Sequence, residues 1–127
     1  MLVRPFLGNV LLAAAVCVTL CVHASALRAA TSHTYDTTPY EAMAKEALKL
    51  VAAGDMKGAS ETAKKLEAKW DAETNELRAA DPDLWDLIDK QMDAAIAALS
   101  TTDTKKAINE LNSYLEKVAR VPKPEKK

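Results

Sequence analysis

The feature that most constrains the fold is a series of helix start signals spaced along the chain. Asp81 precedes Pro82, and an aspartate at a helix N-cap accepts backbone hydrogen bonds while proline suits the first helical turn. Thr38 precedes Pro39 in the same way, and Glu41 completes a capping box three residues after the threonine. These signals predict one helix that begins near residue 39 and another near residue 82.

Further helix start and stop signals divide the rest of the chain. Gly54 predicts a left-handed stop for the first helix, and Asp55 directly after it predicts the cap of a second helix. Asp103 predicts the cap of a last helix, which ends near Val121. The signals therefore divide residues 38–121 into four helical segments.

Apolar side chains recur in these segments at steps of three and four residues, the spacing of one helix face. The four stripes comprise Tyr40, Met43, Ala47 and Leu50; Ala59, Ala63, Leu66, Trp70 and Leu77; Trp85, Ile88, Met92, Ala95, Ile96 and Leu99; and Ala107, Ile108, Leu111, Tyr114, Leu115 and Val118. The second stripe predicts an unbroken helix to about Ala79. Since no strand-like alternation is present, the sequence predicts an all-α fold, an up-down-up-down antiparallel four-helix bundle.

The first 26 residues have the pattern of a secretory signal peptide. Arg4 gives the positive region, residues 10–22 are apolar apart from one threonine, and Ala24 and Ala26 form the small-residue motif of a cleavage site. The apolar stretch is shorter than the roughly 20 residues that a membrane-spanning helix needs, so removal is favoured over a retained anchor. We expect cleavage after Ala26 and a periplasmic or secreted protein.

Two short segments flank the predicted bundle. Residues 27–37 are rich in threonine and serine without an apolar period, and we expect a flexible leader there. Residues 122–127 are lysine- and proline-rich, and we expect a disordered basic tail. Cysteine occurs only at Cys17 and Cys21, so the predicted mature chain has no disulfide and no thiolate site.

Charge and residue usage disfavour several function classes. The chain has 17 Lys plus Arg against 18 Asp plus Glu, a net charge of −1, which argues against general nucleic-acid binding. Cleavage would leave His33 as the sole histidine, and no catalytic triad or zinc set is built from one histidine without cysteine. The sequence contains no glycine-rich phosphate loop. We therefore expect a protein that is not an enzyme and has no resident cofactor.

An acidic series on the third predicted helix is the first candidate site. Asp83, Asp86, Asp89 and Asp93 are three or four residues apart and share one helix face. Carboxylates at this spacing suit a hard cation such as Ca²⁺ or a docking patch for a basic partner. The third interpretation is a solvent-exposed helix face that binds nothing. It is favoured because a single helix cannot surround a cation.

Trp70 and Trp85, with Met92, form the second candidate site. If the second helix runs unbroken to the turn, a rise of about 1.5 Å per residue offsets the two indole rings by roughly 8 Å along one seam. Rings in that arrangement would flank an apolar pocket for haem, a quinone or a lipid tail. Aromatic residues at helical spacing more often fill the core, and that interpretation is favoured here.

The chain resembles the cytochrome b562 family in its length, export signal and helix layout. The resemblance implies a haem held by a methionine near the start of the bundle and a histidine near its end. Met43 occupies the first place, but residues 104–120 contain no histidine, so haem binding is not implied for this chain.

The chain more closely resembles a group of short bacterial exported proteins, for which the resemblance implies a helical bundle and no catalytic residues. This resemblance spans about residues 40–118. The positions that carry it are Gly54, Asp55, Trp70, Asp71, Trp85, Ile88, Asp89, Ala95 and Ile96.

The sequence therefore favours an exported, non-enzymatic bundle that binds a protein partner or a small ligand. The alternatives are a haem-carrying electron-transfer bundle and an accessory metal-binding domain that uses the acidic face. Membrane attachment is expected only if the signal segment is retained. The sequence leaves the oligomeric state open.

Overall fold

The computed structural model describes residues 33–126, and the predicted signal peptide with its cleavage site lies outside this part of the chain. The helices there are α1 (Thr38–Ala52), α2 (Met56–Glu73), α3 (Asn75–Ala80), α4 (Pro82–Leu99) and α5 (Thr104–Val118). Residues 33–126 contain no strand, which confirms the predicted all-α class. None of the helices in this range is both long enough and apolar enough to cross a membrane.

Three of the predicted helix starts are confirmed in atomic detail. Asp55, Asp81 and Asp103 each accept the backbone N–H of the third residue further on, at 2.8, 3.0 and 2.9 Å respectively. Gly54 has a φ of +83°, the left-handed conformation that ends α1 without a side-chain clash. Aspartate caps and one glycine thus set the boundaries that the sequence predicts.

The start of α1 differs from the prediction by one residue. Thr37, not Thr38, is the N-cap, which moves Pro39 to the second helical position. The Thr37 hydroxyl donates to Oε1 of Glu41 at 2.8 Å and makes no bond to the backbone. Asp36 accepts the N–H of Thr38 at 3.0 Å and so supplies part of the expected capping. The predicted capping box is replaced by one bond between side chains, Thr37 to Glu41, and one from the Thr38 backbone to Asp36.

The predicted second helix is interrupted at Thr74, so the expectation of an unbroken helix to Ala79 is wrong. α2 ends at Glu73, and a separate short helix follows. The Thr74 hydroxyl donates to the carbonyl oxygen of Trp70 at 2.6 Å and accepts the indole N–H of Trp85 at 2.7 Å. This hydroxyl competes with the helical backbone for hydrogen bonds and ties the break to α4.

The four long helices pack in neighbouring pairs: α1 with α2, α2 with α4, α4 with α5, and α5 with α1. The short α3 packs mainly against α4. Between them lies a core with two halves. The aromatic half comprises Tyr40, Ala44, Leu66, Trp70, Leu77, Ile88, Met92, Tyr114, Val118 and Val121. The alanine half comprises Ala47, Val51, Ala59, Ala63, Ala95, Ala98, Leu99, Ala107 and Leu111. Both tryptophans of the candidate site therefore belong to the aromatic end, where Trp85 packs against the buried cluster.

The two flanking segments contact the bundle where the sequence predicts a flexible leader and a disordered tail. The backbone N–H of Tyr35 donates to the carbonyl oxygen of Pro122 at 2.8 Å. The Tyr35 hydroxyl donates to the carbonyl oxygen of Glu73, also at 2.8 Å. Lys123 forms an ion pair with Glu41 at 2.6 Å. Polar contacts therefore join both flanking segments to the described helices.

Candidate functional site

The predicted acidic series of α4 does not act as one set. Asp83 lies exposed in the first turn of α4, where a negative charge favours the helix dipole. Asp86 forms an ion pair with Lys90, with 2.6 Å between the Lys90 Nζ and Asp86 Oδ2 atoms. Asp89 and Asp93 form no such ion pair among the described residues. The packing of α2 against α4 brings further carboxylates near them.

Glu67 and Asp71 of α2 join Asp89 and Asp93 of α4 in one electrostatic group, here called the acidic seam. Burial raises the pKa of Glu67, and the charges of Asp93, Asp71 and Asp89 raise it further. Burial likewise raises the pKa of Asp89, followed by the charges of Asp93, Asp71 and Asp86. The sequence prediction missed the α2 members because it considered each helix alone.

The acidic seam has little compensating positive charge. Within residues 33–126, no lysine or arginine forms an ion pair with any of its four carboxylates. Lys64 and Arg78 act on it only as more distant charges, on Glu67 and Asp89 respectively. The same range contains no group of three or more acidic, histidine or cysteine side chains placed to hold a metal ion. The seam is thus a negative surface and is not arranged as a coordination site.

The two tryptophan rings lie in direct contact. Their centroids are 6.2 Å apart and their planes differ by 22°, so the two rings stack on each other. Trp70 and Met92 are fully buried, and Trp85 is partly buried. The axial offset expected from an unbroken second helix does not apply, because the break at Thr74 changes the path between the rings.

The stacked pair is part of a longer aromatic chain, formed by Tyr35, Tyr40, Trp70 and Trp85. Ring centroids of Tyr35 and Tyr40 are 6.3 Å apart and nearly parallel, and those of Tyr40 and Trp70 are 5.3 Å apart and nearly perpendicular. The guanidinium carbon of Arg78 lies 4.5 Å from the centroid of the Trp85 ring. The sequence prediction missed Tyr35 because it assigned that residue to the flexible leader.

The polar partners along the aromatic chain differ from ring to ring. The Tyr40 hydroxyl donates to Oε2 of Glu73 at 3.1 Å and lies 3.1 Å from the Tyr35 hydroxyl. Oε1 of Glu73 pairs with Lys69 at 2.6 Å, and this hydrogen bond is the main cause that lowers the pKa of Glu73. Burial, followed by the hydrogen bond with Tyr35, raises the pKa of Tyr40. At neutral pH a phenol O–H therefore faces a carboxylate.

Two buried polar atoms have no hydrogen-bond partner among the described residues: the indole nitrogen of Trp70 and the hydroxyl of Tyr114. Both side chains are fully buried in the aromatic half of the core. Burial is the main cause that raises the pKa of Tyr114. No sequence signal distinguishes Tyr114, which lacks an acceptor, from Tyr40, which has one.

His33, the sole histidine of the predicted mature chain, lines a surface cavity near the start of the described residues. The cavity has a volume of about 350 Å³ and is lined by His33, Glu76, Ala79 and Ala80. It is formed by polar and small residues and not by the tryptophans or Met92. The structure therefore does not connect this cavity to the predicted apolar pocket.

No protein-family model, curated protein or solved structure matches this chain. The resemblance to cytochrome b562 bundles stays a prediction. Met43 packs partly buried against the aromatic half of the core, and α5 has no histidine to pair with it.

Proposed function

We propose that this protein is an exported, non-enzymatic bundle of four long helices in up-down-up-down order, which binds a basic segment of a protein partner. The acidic seam is the binding surface. The observation that supports the proposal is the convergence of Glu67, Asp71, Asp89 and Asp93 from two helices without a paired cation in residues 33–126. A small ligand bound at the same surface is the alternative within this class.

The energetic argument concerns like charges held close together. Burial and mutual repulsion raise the pKa values of Glu67 and Asp89, so ionising these carboxylates at neutral pH opposes folding. A lysine- or arginine-rich segment would supply the missing positive charge and reverse this repulsion. Charge complementarity of this kind accelerates association and selects partners.

A binding test uses a fluorescent oligolysine peptide and the full chain. We expect the peptide to bind, with an affinity that falls as salt is added, because ions screen exposed charges over a Debye length of about 10 Å at 0.1 M. Replacing Asp89→Asn and Asp93→Asn together should abolish most of the binding. The matched control, Glu46→Gln with Glu61→Gln, removes the same charge from exposed positions outside the seam.

The outcomes separate a defined surface from general attraction between charges. Binding that is lost in the seam variant and retained in the control supports the proposal. Equal losses in both variants show that only net charge matters, and an oligoglutamate peptide that binds as well as oligolysine excludes a basic partner. Either result overturns the assignment of the seam.

Export is tested separately, by mass spectrometry of the protein recovered from the periplasm or medium of a bacterial host. The proposal expects a chain that begins at Leu27, directly after the predicted cleavage site. Recovery of the chain only in the cytoplasm, or with residues 1–26 still attached, contradicts this part of the proposal.

A further inference from the structure

The aromatic chain connects the protein surface with a buried phenol. Trp85 is partly exposed, whereas Trp70 and Tyr40 have at most 1% of their surface accessible. The centroid separations along the path are 6.2 Å from Trp85 to Trp70 and 5.3 Å from Trp70 to Tyr40. Indole and phenol rings are the side chains that lose single electrons most readily, and ring contacts this close permit electron transfer between neighbours.

The hydrogen-bond partners give the three rings different roles. The Trp70 indole N–H has no acceptor among the described residues, so an oxidised Trp70 ring retains its proton and passes the charge on. Tyr40 already donates its hydroxyl hydrogen to Glu73 Oε2 at 3.1 Å. A phenol that loses an electron becomes a strong acid, and the carboxylate beside it is placed to take the proton.

We propose that Trp85, Trp70 and Tyr40 form a relay that conducts one-electron oxidation from the surface to Tyr40, with Glu73 as the proton acceptor. The reagent is an outer-sphere one-electron oxidant that accepts an electron from the Trp85 ring. Trp70 then reduces Trp85, and Tyr40 reduces Trp70. The Tyr40 O–H bond breaks and a new O–H bond forms on Glu73, so the net products are a neutral tyrosyl radical, a protonated Glu73 carboxyl and the reduced oxidant.

Local electrostatics disfavour a positive charge on either tryptophan ring, so the oxidation is expected to settle at Tyr40. The Arg78 guanidinium over the Trp85 ring opposes a positive charge on that ring, which shifts the oxidation toward Trp70. Trp70 is fully buried, so a charged ring there is poorly solvated. At Tyr40 the departing proton leaves a neutral radical, which burial does not penalise. This relay is independent of partner binding at the acidic seam.

The chain contains its own control in Tyr114. This tyrosine is as deeply buried as Tyr40, but its hydroxyl has no acceptor among the described residues. An oxidised Tyr114 has no base beside it, so the radical should not settle there. Tyr40→Phe and Tyr114→Phe therefore remove the same atom from two buried phenols that differ in their proton acceptor.

The experiment oxidises the full chain with photogenerated ruthenium(III) tris-bipyridine and follows radicals by transient absorption and electron paramagnetic resonance. The native protein should form a tyrosyl radical after a tryptophan radical, more slowly in D₂O. Tyr40→Phe should lose the tyrosyl signal and prolong the tryptophan radical, while Tyr114→Phe should behave as the native protein does. Glu73→Gln retains the size of the side chain and should delay tyrosyl formation.

Several results would overturn the relay. A tyrosyl signal that survives in Tyr40→Phe places the radical on another tyrosine. A loss of the signal in Tyr114→Phe contradicts the role of the proton acceptor. An unchanged rate in Glu73→Gln and in D₂O excludes proton transfer to Glu73. Circular dichroism of each variant establishes that the helices are retained before the radicals are compared.

Discussion

The hydroxyl of Thr74 lies where α2 ends and α3 begins, and it bonds to both α2 and α4. Its oxygen donates to the Trp70 carbonyl and accepts the Trp85 indole N–H, so it closes the end of α2 and fixes the orientation of an aromatic ring on α4. Thr74 is fully buried, which makes these partners hard to replace by water. The sequence prediction missed this role, because the apolar stripe of the second segment continues past Thr74 to Leu77.

Substitution of Thr74 tests that pair of hydrogen bonds. Thr74→Val keeps the shape of the side chain but leaves the Trp85 indole N–H without its acceptor, which should cost about 1–3 kcal/mol of unfolding free energy. Thr74→Ser retains the hydroxyl and serves as the control. Urea denaturation measures both. A valine variant as stable as the serine variant would mean that the indole finds water instead.

Trp70 is the largest fully buried side chain of the protein's described residues, and it lies in the aromatic half of the core. We expect Trp70→Ala to cost about 3–5 kcal/mol, because it removes transfer free energy and leaves a cavity. Trp85→Ala should cost less, since that ring is partly exposed. Chemical denaturation of the two variants gives the comparison. A change below about 1 kcal/mol for Trp70→Ala would contradict its place in the core.

At the scale of helices, local signals predict ends well and contacts between helices poorly. Asp55, Asp81 and Asp103 cap helices as their sequence context predicts, because a cap depends on the next three residues. The grouping of Glu67 with Asp89 depends on how α2 packs against α4, which periodicity within one helix does not determine. The candidate acidic surface was therefore predicted only in part.

The acidic seam predicts a pH dependence with a definite sign. Burial and neighbouring carboxylates raise the folded-state pKa of Asp89 above its ordinary 3.8. A carboxyl whose pKa is raised by folding stabilises the folded state at pH values below its unfolded-state pKa. That stabilisation is lost as the pH rises through its folded-state pKa. Asp89→Asn should therefore stabilise the protein at about pH 7 and have a smaller effect at about pH 3, where the carboxyl is protonated in both states.

The measurement is the unfolding free energy of the native protein and of Asp89→Asn in urea at both pH values. Glu61→Gln, an exposed position on α2, is the control for loss of one negative charge. An equal stabilisation at both pH values would assign the effect of Asp89→Asn to packing or hydrogen bonding and remove the electrostatic explanation.

At the scale of the whole molecule, the sequence predicts the helical class and most helix ends, but not the contacts of the two flanking segments. Pattern analysis stops where apolar periodicity stops, and Tyr35 and Lys123 lie outside the periodic segments. Their hydrogen bonds and ion pair are long-range: Tyr35 bonds to Glu73 and Pro122, and Lys123 pairs with Glu41. Such pairings depend on the packed fold, and the spacing of residue types along the sequence does not predict them.

Tyr35 carries the last prediction, because it joins the segment before α1 to both α2 and the segment after α5. Tyr35→Phe removes the hydrogen bond to the Glu73 carbonyl and should cost about 0.5–1.5 kcal/mol. Tyr35→Ala also removes the ring stacked on Tyr40. The loss of this aromatic pair should cost about 0.5–1.5 kcal/mol more. Hydrogen exchange should accelerate at residues 35–37 and 121–123 together in the alanine variant, since these segments are bonded to each other. Acceleration confined to residues 35–37 would show that the two ends are held independently, and the folded unit would then end at α5.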